Sequence, residues 1–232
     1  LSEAAMQRTL EALKVCAGKM DRHRVERAML VATEACRIAD NGAEFLARAR
    51  AATGLDIQIL SREGEARLAV SGCASLVDTS CDYVRVFDIG GGSSELIWLD
   101  MRLSAGVGTL AERFGGRHAT RDVFEATVDH VQDMLAPFEA EHRFAERIAN
   151  RRVHMLGTSG TVTTVAGVHL GLERYDRNRV DGCWLGAQSA RDVTYRLLDR
   201  SYAERIAEPC IGRDRADLVL AGCAILEALM RM

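Results

Sequence analysis

The chain has 232 residues, of which 48% are hydrophobic and 27% charged, and its net charge is −3. That balance describes a globular chain long enough for one large domain or two small ones. It excludes a global field that would draw in nucleic acid or an anionic membrane surface, so any polyanion must be met by local basic groups.

Residues 2–20 place Met6, Leu10, Leu13, Val15 and Cys16 at a helical period with charges between them, which predicts a helix. The helix starts at once and no initiator methionine precedes it, so the chain is expected to begin partway through a longer protein. Residues 25–33 hold an apolar run at 28–32 bounded by charge and predict a buried strand. Residues 34–40 predict a helical turn carrying Arg37. Residues 41–53 predict a helix with Asn41 as N-cap, Glu44 three residues on, and Gly54 as its stop. Residues 55–60 alternate as a strand. Ser61 then caps a helix over 63–76, whose first turn holds Glu63 and Glu65. Strand followed by helix, repeated, predicts an α/β domain with parallel strands. The softest boundary is 72–82, dividing the chain into domains 1–76 and 77–232.

Residues 84–100 read VRVFDIGGGSSELIWLD: a strand, a glycine turn and a second strand, within a hairpin over 80–100. Asp88 stands at the mouth of the turn, followed by Gly90, Gly91, Gly92, Ser93 and Ser94. Glycines let backbone N–H groups converge on an anion, because no side chain blocks the approach and positive φ is open to them. A plain hairpin needs one glycine; three, with an acid before and two serines after, favour phosphate binding. A third strand is predicted over 103–108, a helical turn over 109–114, and a loop over 115–120 with Arg117 and His118. One long helix follows over 121–150, interrupted at Pro137. Its charged face is expected in solvent, so His130 and His142 receive no role.

Residues 153–156 predict a strand, 162–170 a helix, and between them lies the turn Gly157, Thr158, Ser159, Gly160, Thr161. A polar loop over 174–181 and an extended piece over 182–186 with Trp184 come next. A helix starting at Ser189 with Asp192, a short element over 201–210 and a final apolar helix over 215–232 complete the chain. Ala216, Ala221, Gly222 and Ala224 fit that last helix for close packing. No internal repeat is visible. Seven cysteines form no Cys-x-x-Cys pair and are expected as reduced thiols of a cytoplasmic protein. No apolar run reaches the ~18 residues of a membrane span, and no signal peptide is expected.

The 157–161 turn follows a strand and opens a helix, a geometry that aims backbone donors at an anion; tight packing alone would also account for it. Neither glycine turn is a P-loop or a dinucleotide fingerprint, since no Gly-Lys-Ser/Thr occurs and a strand follows Gly92. Glu63 and Glu65 sit at a strand end, where a carboxylate can act as general base. Acidic residues also favour a first helical turn for electrostatic reasons, and the residues alone do not choose between the two. Arg37, Arg62 and Arg67 lie near similar strand ends. Asp88 and Glu95 flank the glycine turn, and carboxylates beside phosphate suit a hard divalent cation such as Mg²⁺. His23, His154 and His169 lack metal-ligand spacing.

Five stretches, in order, carry a family resemblance: TEACRIADNGAEFL at 33–46, ILSREGEARL at 59–68, VFDIGGGSSEL at 86–96, MLGTSGTVTTVAG at 155–167 and GRDRADLVLAGCAILEAL at 212–229. The chain resembles the Ppx/GppA family of exopolyphosphatases and guanosine-pentaphosphate phosphohydrolases, within the actin/Hsp70/sugar-kinase superfamily. The resemblance implies an α/β fold of two ribonuclease-H-like domains with an interdomain cleft, the first domain N-terminally incomplete. It implies release of terminal phosphate from inorganic polyphosphate or guanosine pentaphosphate. Glu65 would be the general base and Arg37 a phosphate contact. Asp88 and Glu95 would hold Mg²⁺ or another divalent cation. Gly90, Gly91, Gly92 and Ser93, with Gly157, Thr158, Ser159, Gly160 and Thr161, would cradle phosphates.

The partners implied are polyphosphate or guanosine penta- and tetraphosphate, with room for a homodimer. The last helix has room to pack back on the first domain. The family's own N-terminal hairpin, of the type Asp-Ile-Gly-Ser-Asn-Ser, and the C-terminal extension of longer members are not in the sequence. Residues 180–184 stand where a more His/Tyr-like stretch is expected. Two other readings stay open: a phosphotransferase of the same superfamily, and a non-catalytic polyphosphate- or nucleotide-binding protein.

Overall fold

A computed structural model describes residues 1–90, 94–97, 101–103, 107–114 and 119–232, with the side chains of 95–97, 101–103, 107–109 and 112 left aside. It is a mixed α/β chain of two compact units, Leu1–Leu68 and Ala69–Met232.

The first unit opens with α1 (Glu3–Arg22), where Ser2 Oγ accepts the Ala5 N–H at 3.3 Å. Strand β1 (Val31–Ala32), α2 (Glu34–Ile38), α3 (Gly42–Thr53), β2 (Gln58–Ile59) and α4 (Arg62–Cys73) follow. The division between units falls within α4. Strands β1 and β2 pair in parallel, Val31 opposite Gln58 and Ala32 opposite Ile59. Met6 and Leu10 of α1 pack on Phe45 and Ala49 of α3 to form a small core.

The strand expected over 25–33 is only two residues long and is not buried. Met29 is 67% exposed and Val31 41%, because a two-stranded ribbon has no second layer over these side chains. Asn41 does precede α3, yet its side chain makes no cap. Its amide nitrogen donates instead to the Leu1 carbonyl at 2.9 Å. Gly54 ends α3 at φ +72°, a conformation that glycine adopts without a Cβ penalty. Ser61 caps α4 as expected, its hydroxyl accepting the Gly64 N–H at 3.1 Å.

In the second unit a 3₁₀ turn (Ala74–Leu76) leads to β3 (Tyr83–Ile89), β4 (Ser94–Ile97) and β5 (Met101–Leu103). Helices α5 (Val107–Phe114), α6 (Arg121–His142) and α7 (Phe144–Ile148) come before β6 (Val153–Thr158). After it lie α8 (Ser159–His169), α9 (Arg177–Val180), α10 (Ala187–Leu198), α11 (Tyr202–Ala207) and α12 (Val219–Arg231). The sheet order among the described residues is β5-β4-β3-β6. Strands β3 and β4 form the expected antiparallel hairpin, and β6 lies parallel to β3.

The long helix expected over 121–150 breaks at Arg143, not at Pro137. Arg143 takes φ +48° between α6 and α7, donates its N–H to the Glu139 carbonyl at 2.8 Å, and lets Glu139 Oε1 accept the Ala145 N–H. Pro137 is carried inside α6, where buried Leu135 and Phe138 hold the helix against the core and offset the missing donor. The third strand falls at 101–103, ahead of its expected place, and 107–114 is helical. The polar loop at 174–181 contains the short α9, and α10 begins at Ala187, ahead of Ser189. The last helix begins at Val219 after a series of turns.

Helix α12 is buried continuously from Val219 to Leu229, as a helix apolar on all sides requires, and packs against α5, α6, α8 and α10. Its contact with α8 depends on Gly222. A Cβ there would lie 2.2 Å from Thr161 Oγ1 and 2.7 Å from Thr161 Cγ2. Gly222→Ala is therefore expected to cost about 1–3 kcal/mol through overpacking, against a helix-propensity gain of about 1 kcal/mol. Urea unfolding checks this: a lower midpoint at unchanged slope is expected, and an unchanged or higher midpoint would show that the two helices have room.

Candidate functional site

In the first unit, the turn of α2 and the start of α4 bring four charges together. Arg37 Nη2 donates to Glu65 Oε2 at 2.5 Å. Arg62 grips Glu34 with two hydrogen bonds, Nη2 to Oε1 at 2.6 Å and Nε to Oε2 at 3.1 Å. Arg37 Nη1 lies 3.4 Å from Glu34 Oε2. Glu34 is buried, and the hydrogen bond from Arg62 is the main cause that holds its carboxyl below the usual range.

The pairing of Arg37 with Glu65 joins the two residues that the resemblance singled out, and it lies wholly within one unit. It also leaves work for Arg37. Its Nε and Nη1 atoms are buried and donate to no acceptor among the described residues. A guanidinium carries five N–H donors in a fixed fork, and buried donors left unpaired are costly. An anion with several oxygens is the ligand this fork suits.

In the second unit, the sheet register sets Glu95 and Thr158 on the two strands flanking Asp88. Asp88 Oδ1 is buried with no hydrogen-bond partner among the described residues, and so is Ser94 Oγ. A carboxylate oxygen left unpaired at a strand end fits a hard cation or one of its waters. Among the described residues no cluster of three or more His, Cys, Asp or Glu side chains completes a protein-only metal cage. Gly90 closes β3, whereas Gly91, Gly92 and Ser93 lie outside the described residues.

The second glycine turn runs from the end of β6 into α8. Thr158 is the N-cap but offers no side-chain cap, so the first N–H groups of an 11-residue helix are left for another acceptor. Ser159 holds φ +76°, a strained conformation for a residue with a Cβ. Gly157 is needed for packing: a Cβ would meet Phe87 Cζ at 2.5 Å and Val162 Cγ1 at 2.9 Å. The Thr161 side chain is buried against Gly222 of α12.

Arg215, to which the sequence reading gave no role, reaches this turn. Its guanidinium lies beside Gly160, with Nη1 3.3 Å from Thr164 Oγ1 and 3.5 Å from the Gly160 carbonyl. A cation beside a helix N-terminus opposes the helix dipole unless an anion sits between them. The only sign of Arg215 in the sequence was its place in the 212–229 stretch. Of the histidines, His154 is a satisfied core residue, its Nδ1 accepting the Asp78 N–H at 3.2 Å.

These arrangements sit on a mixed α/β scaffold. A sequence model of the Ppx/GppA phosphatase family matches residues 1–232. The chain belongs to that family. Among solved structures, it is similar to an exopolyphosphatase-like protein at TM-score 0.86 and 26% identity, covering 99% of this chain and 75% of that one. A Ppx/GppA enzyme of Aquifex aeolicus gives TM-score 0.79 at 26% identity, covering 100% and 77%. An exopolyphosphatase from Cytophaga hutchinsonii gives TM-score 0.82 at 22% identity, covering 100% and 76%, a likeness of fold. Phosphohydrolase chemistry is the function that family and neighbours support. No helix among the described residues is long and apolar enough to cross a membrane.

Proposed function

We propose that the protein releases terminal phosphate from inorganic polyphosphate or guanosine pentaphosphate. The observation that carries this reading is the Arg37–Glu65 pair: a carboxylate able to accept a proton, held by an arginine whose buried Nε and Nη1 make no hydrogen bond among the described residues, Nη1 keeping only an ion-pair contact with Glu34 at 3.4 Å. In this reading Glu65 takes the proton of the attacking water, and the open donors of Arg37 hold phosphate oxygens in a bidentate grip.

The backbone N–H groups at the start of α8, with Arg215 beside them, bind and orient phosphate. Gly90–Ser93 extend the cradle from the hairpin. Asp88, with Glu95 opposite it in the register, would hold Mg²⁺ or a similar cation. When bound, that cation supplies charge neutralisation to the phosphate oxygens. The similarity at 26% identity to an exopolyphosphatase-like protein supports the substrate class.

Phosphate release from polyphosphate and from guanosine pentaphosphate, measured side by side with and without Mg²⁺, tests the reading. Release that depends on the cation and falls at least tenfold on chelation is expected. ATP-dependent phosphorylation of an acceptor with no net phosphate would replace it with a phosphotransferase. Binding of both compounds without turnover would replace it with a sensor.

A further inference from the structure

Glu34 stands in the first turn of α2 and is buried. One partner holds both of its oxygens: Arg62 donates Nη2 to Oε1 and Nε to Oε2. Arg37, three residues on, has its Nη1 3.4 Å from that same Oε2 and makes no hydrogen bond there. Two guanidiniums therefore face one buried carboxylate, and only Arg62 is seated on it.

This ranking matters because a buried carboxylate stripped of its partner is costly to leave unpaired. Positions three apart on a helix are neighbours. Without Arg62, Arg37 is the cation at hand, and it has only to close from 3.4 Å to an ordinary bond of about 2.9 Å. A guanidinium presents its donors in one rigid plane. Turning that plane onto Glu34 draws Nη2 away from Glu65 Oε2, which it bonds at 2.5 Å. It also commits Nη1, one of the two buried donors assigned above to phosphate. Arg62 has the most exposed side chain of the four, at 33%, so it is the member whose loss the packing tolerates best.

We infer that Arg62 is a positioning residue. By covering both oxygens of Glu34 it keeps that carboxylate from capturing Arg37, and so leaves Arg37 on Glu65 with donors open to an anion. This rests on the proposed grip of Arg37 on phosphate and deepens it, by explaining how an arginine can stand beside a buried carboxylate and still serve a substrate. Arg62 touches neither the water nor the phosphate in this scheme; it acts through Glu34.

Calorimetry of the full chain with tripolyphosphate, without divalent cation to prevent turnover, reads the effect as anion affinity. Arg62→Ala is expected to weaken binding ~10-fold, about the worth of one charge-assisted hydrogen bond. Adding Glu34→Gln to Arg62→Ala removes the competing charge and should recover most of that loss. A merely structural ion pair gives the reverse, a double variant no better than the single one. A double-mutant cycle with Arg37 separates capture from simple loss of positive charge: in an Arg37→Ala background, Arg62→Ala should change affinity by less than about twofold. Unchanged affinity in Arg62→Ala, no recovery in the double variant, a loss that persists without Arg37, or no binding by the unsubstituted chain overturns the inference. Failure of the hydrolase reading shows separately, as no phosphate release from any substrate by the unsubstituted protein, and leaves the binding pattern standing.

Discussion

Glu65→Gln is expected to lower phosphate release by ~10²-fold or more, the usual worth of a positioned general base. The substitution keeps the shape of the side chain and an oxygen that can accept the bond from Arg37, but an amide cannot take a proton from water. Substrate affinity should change less than turnover, because the phosphate contacts are assigned to Arg37 and to the start of α8. Arg37→Ala gives the opposite pattern: it removes the two buried donors and should raise KM as well as lower kcat. Steady-state phosphate release, with thermal unfolding as a check on folding, measures both. Release by Glu65→Gln within threefold of the unsubstituted protein would remove Glu65 from the reaction.

Glu227→Ala is expected to be strongly destabilising. Glu227 lies on α12, 2% exposed. Its two oxygens accept Arg191 Nε, both at 3.1 Å, and Oε1 also accepts Arg231 Nε at 2.8 Å. Arg231 continues to Glu125, with Nη1 2.9 Å from Oε2, so one buried carboxylate ties α10 to the end of α12 and onward to α6. Removing one partner of a buried pair costs about 3–5 kcal/mol. Arg191 and Arg231 keep 32% and 29% side-chain exposure and can rehydrate, which places the cost near the lower figure.

A loss of roughly 6–12 °C in Tm follows for a chain of this size, and a loss under 2 °C would show the network to be ornamental. The network also shapes the acid limb. The hydrogen bond from Arg231 holds the Glu125 carboxyl below its ordinary 4.5. Its contribution is present above that value and fades as pH falls through the lower folded one.

The helices and strands with strong periodicity were legible in the sequence, and so were the β3–β4 hairpin and the β6-to-α8 turn, whose glycines and flanking apolar runs are local signals. What was not legible depends on partners distant along the chain. The residues around Glu63 and Glu65 do not separate the two, only the resemblance singles out Glu65, and the bond it accepts from Arg37 comes from 28 positions away in the chain. Arg215 carried no mark beyond its place in a quoted stretch, because it reaches Gly160 only once α12 is seated on α8. The break at Arg143 was hidden because Pro137 is the stronger local signal and packing overrode it. Ser159 gives no hint of its positive φ, since serine carries no sign of it. The run at 28–32 read as buried because a strand's burial is set by the layers placed over it, which its own sequence does not contain.

The parallel pairing of β3 with β6 has a consequence for the order in which the second unit assembles. Tyr83 meets Val153 only after α5, α6 and α7 have been traversed. The β3–β4 hairpin closes locally, whereas the β6 edge must wait for a long loop to close, a step that carries its entropic cost before any contact rewards it. During synthesis on the ribosome, β3 is thus made early and holds one unpaired edge until Thr158 has emerged. That edge, a row of unpaired backbone N–H and C=O groups, is a surface through which nascent chains of this protein would associate. The helices made in the interval, α6 above all, are what can shield it.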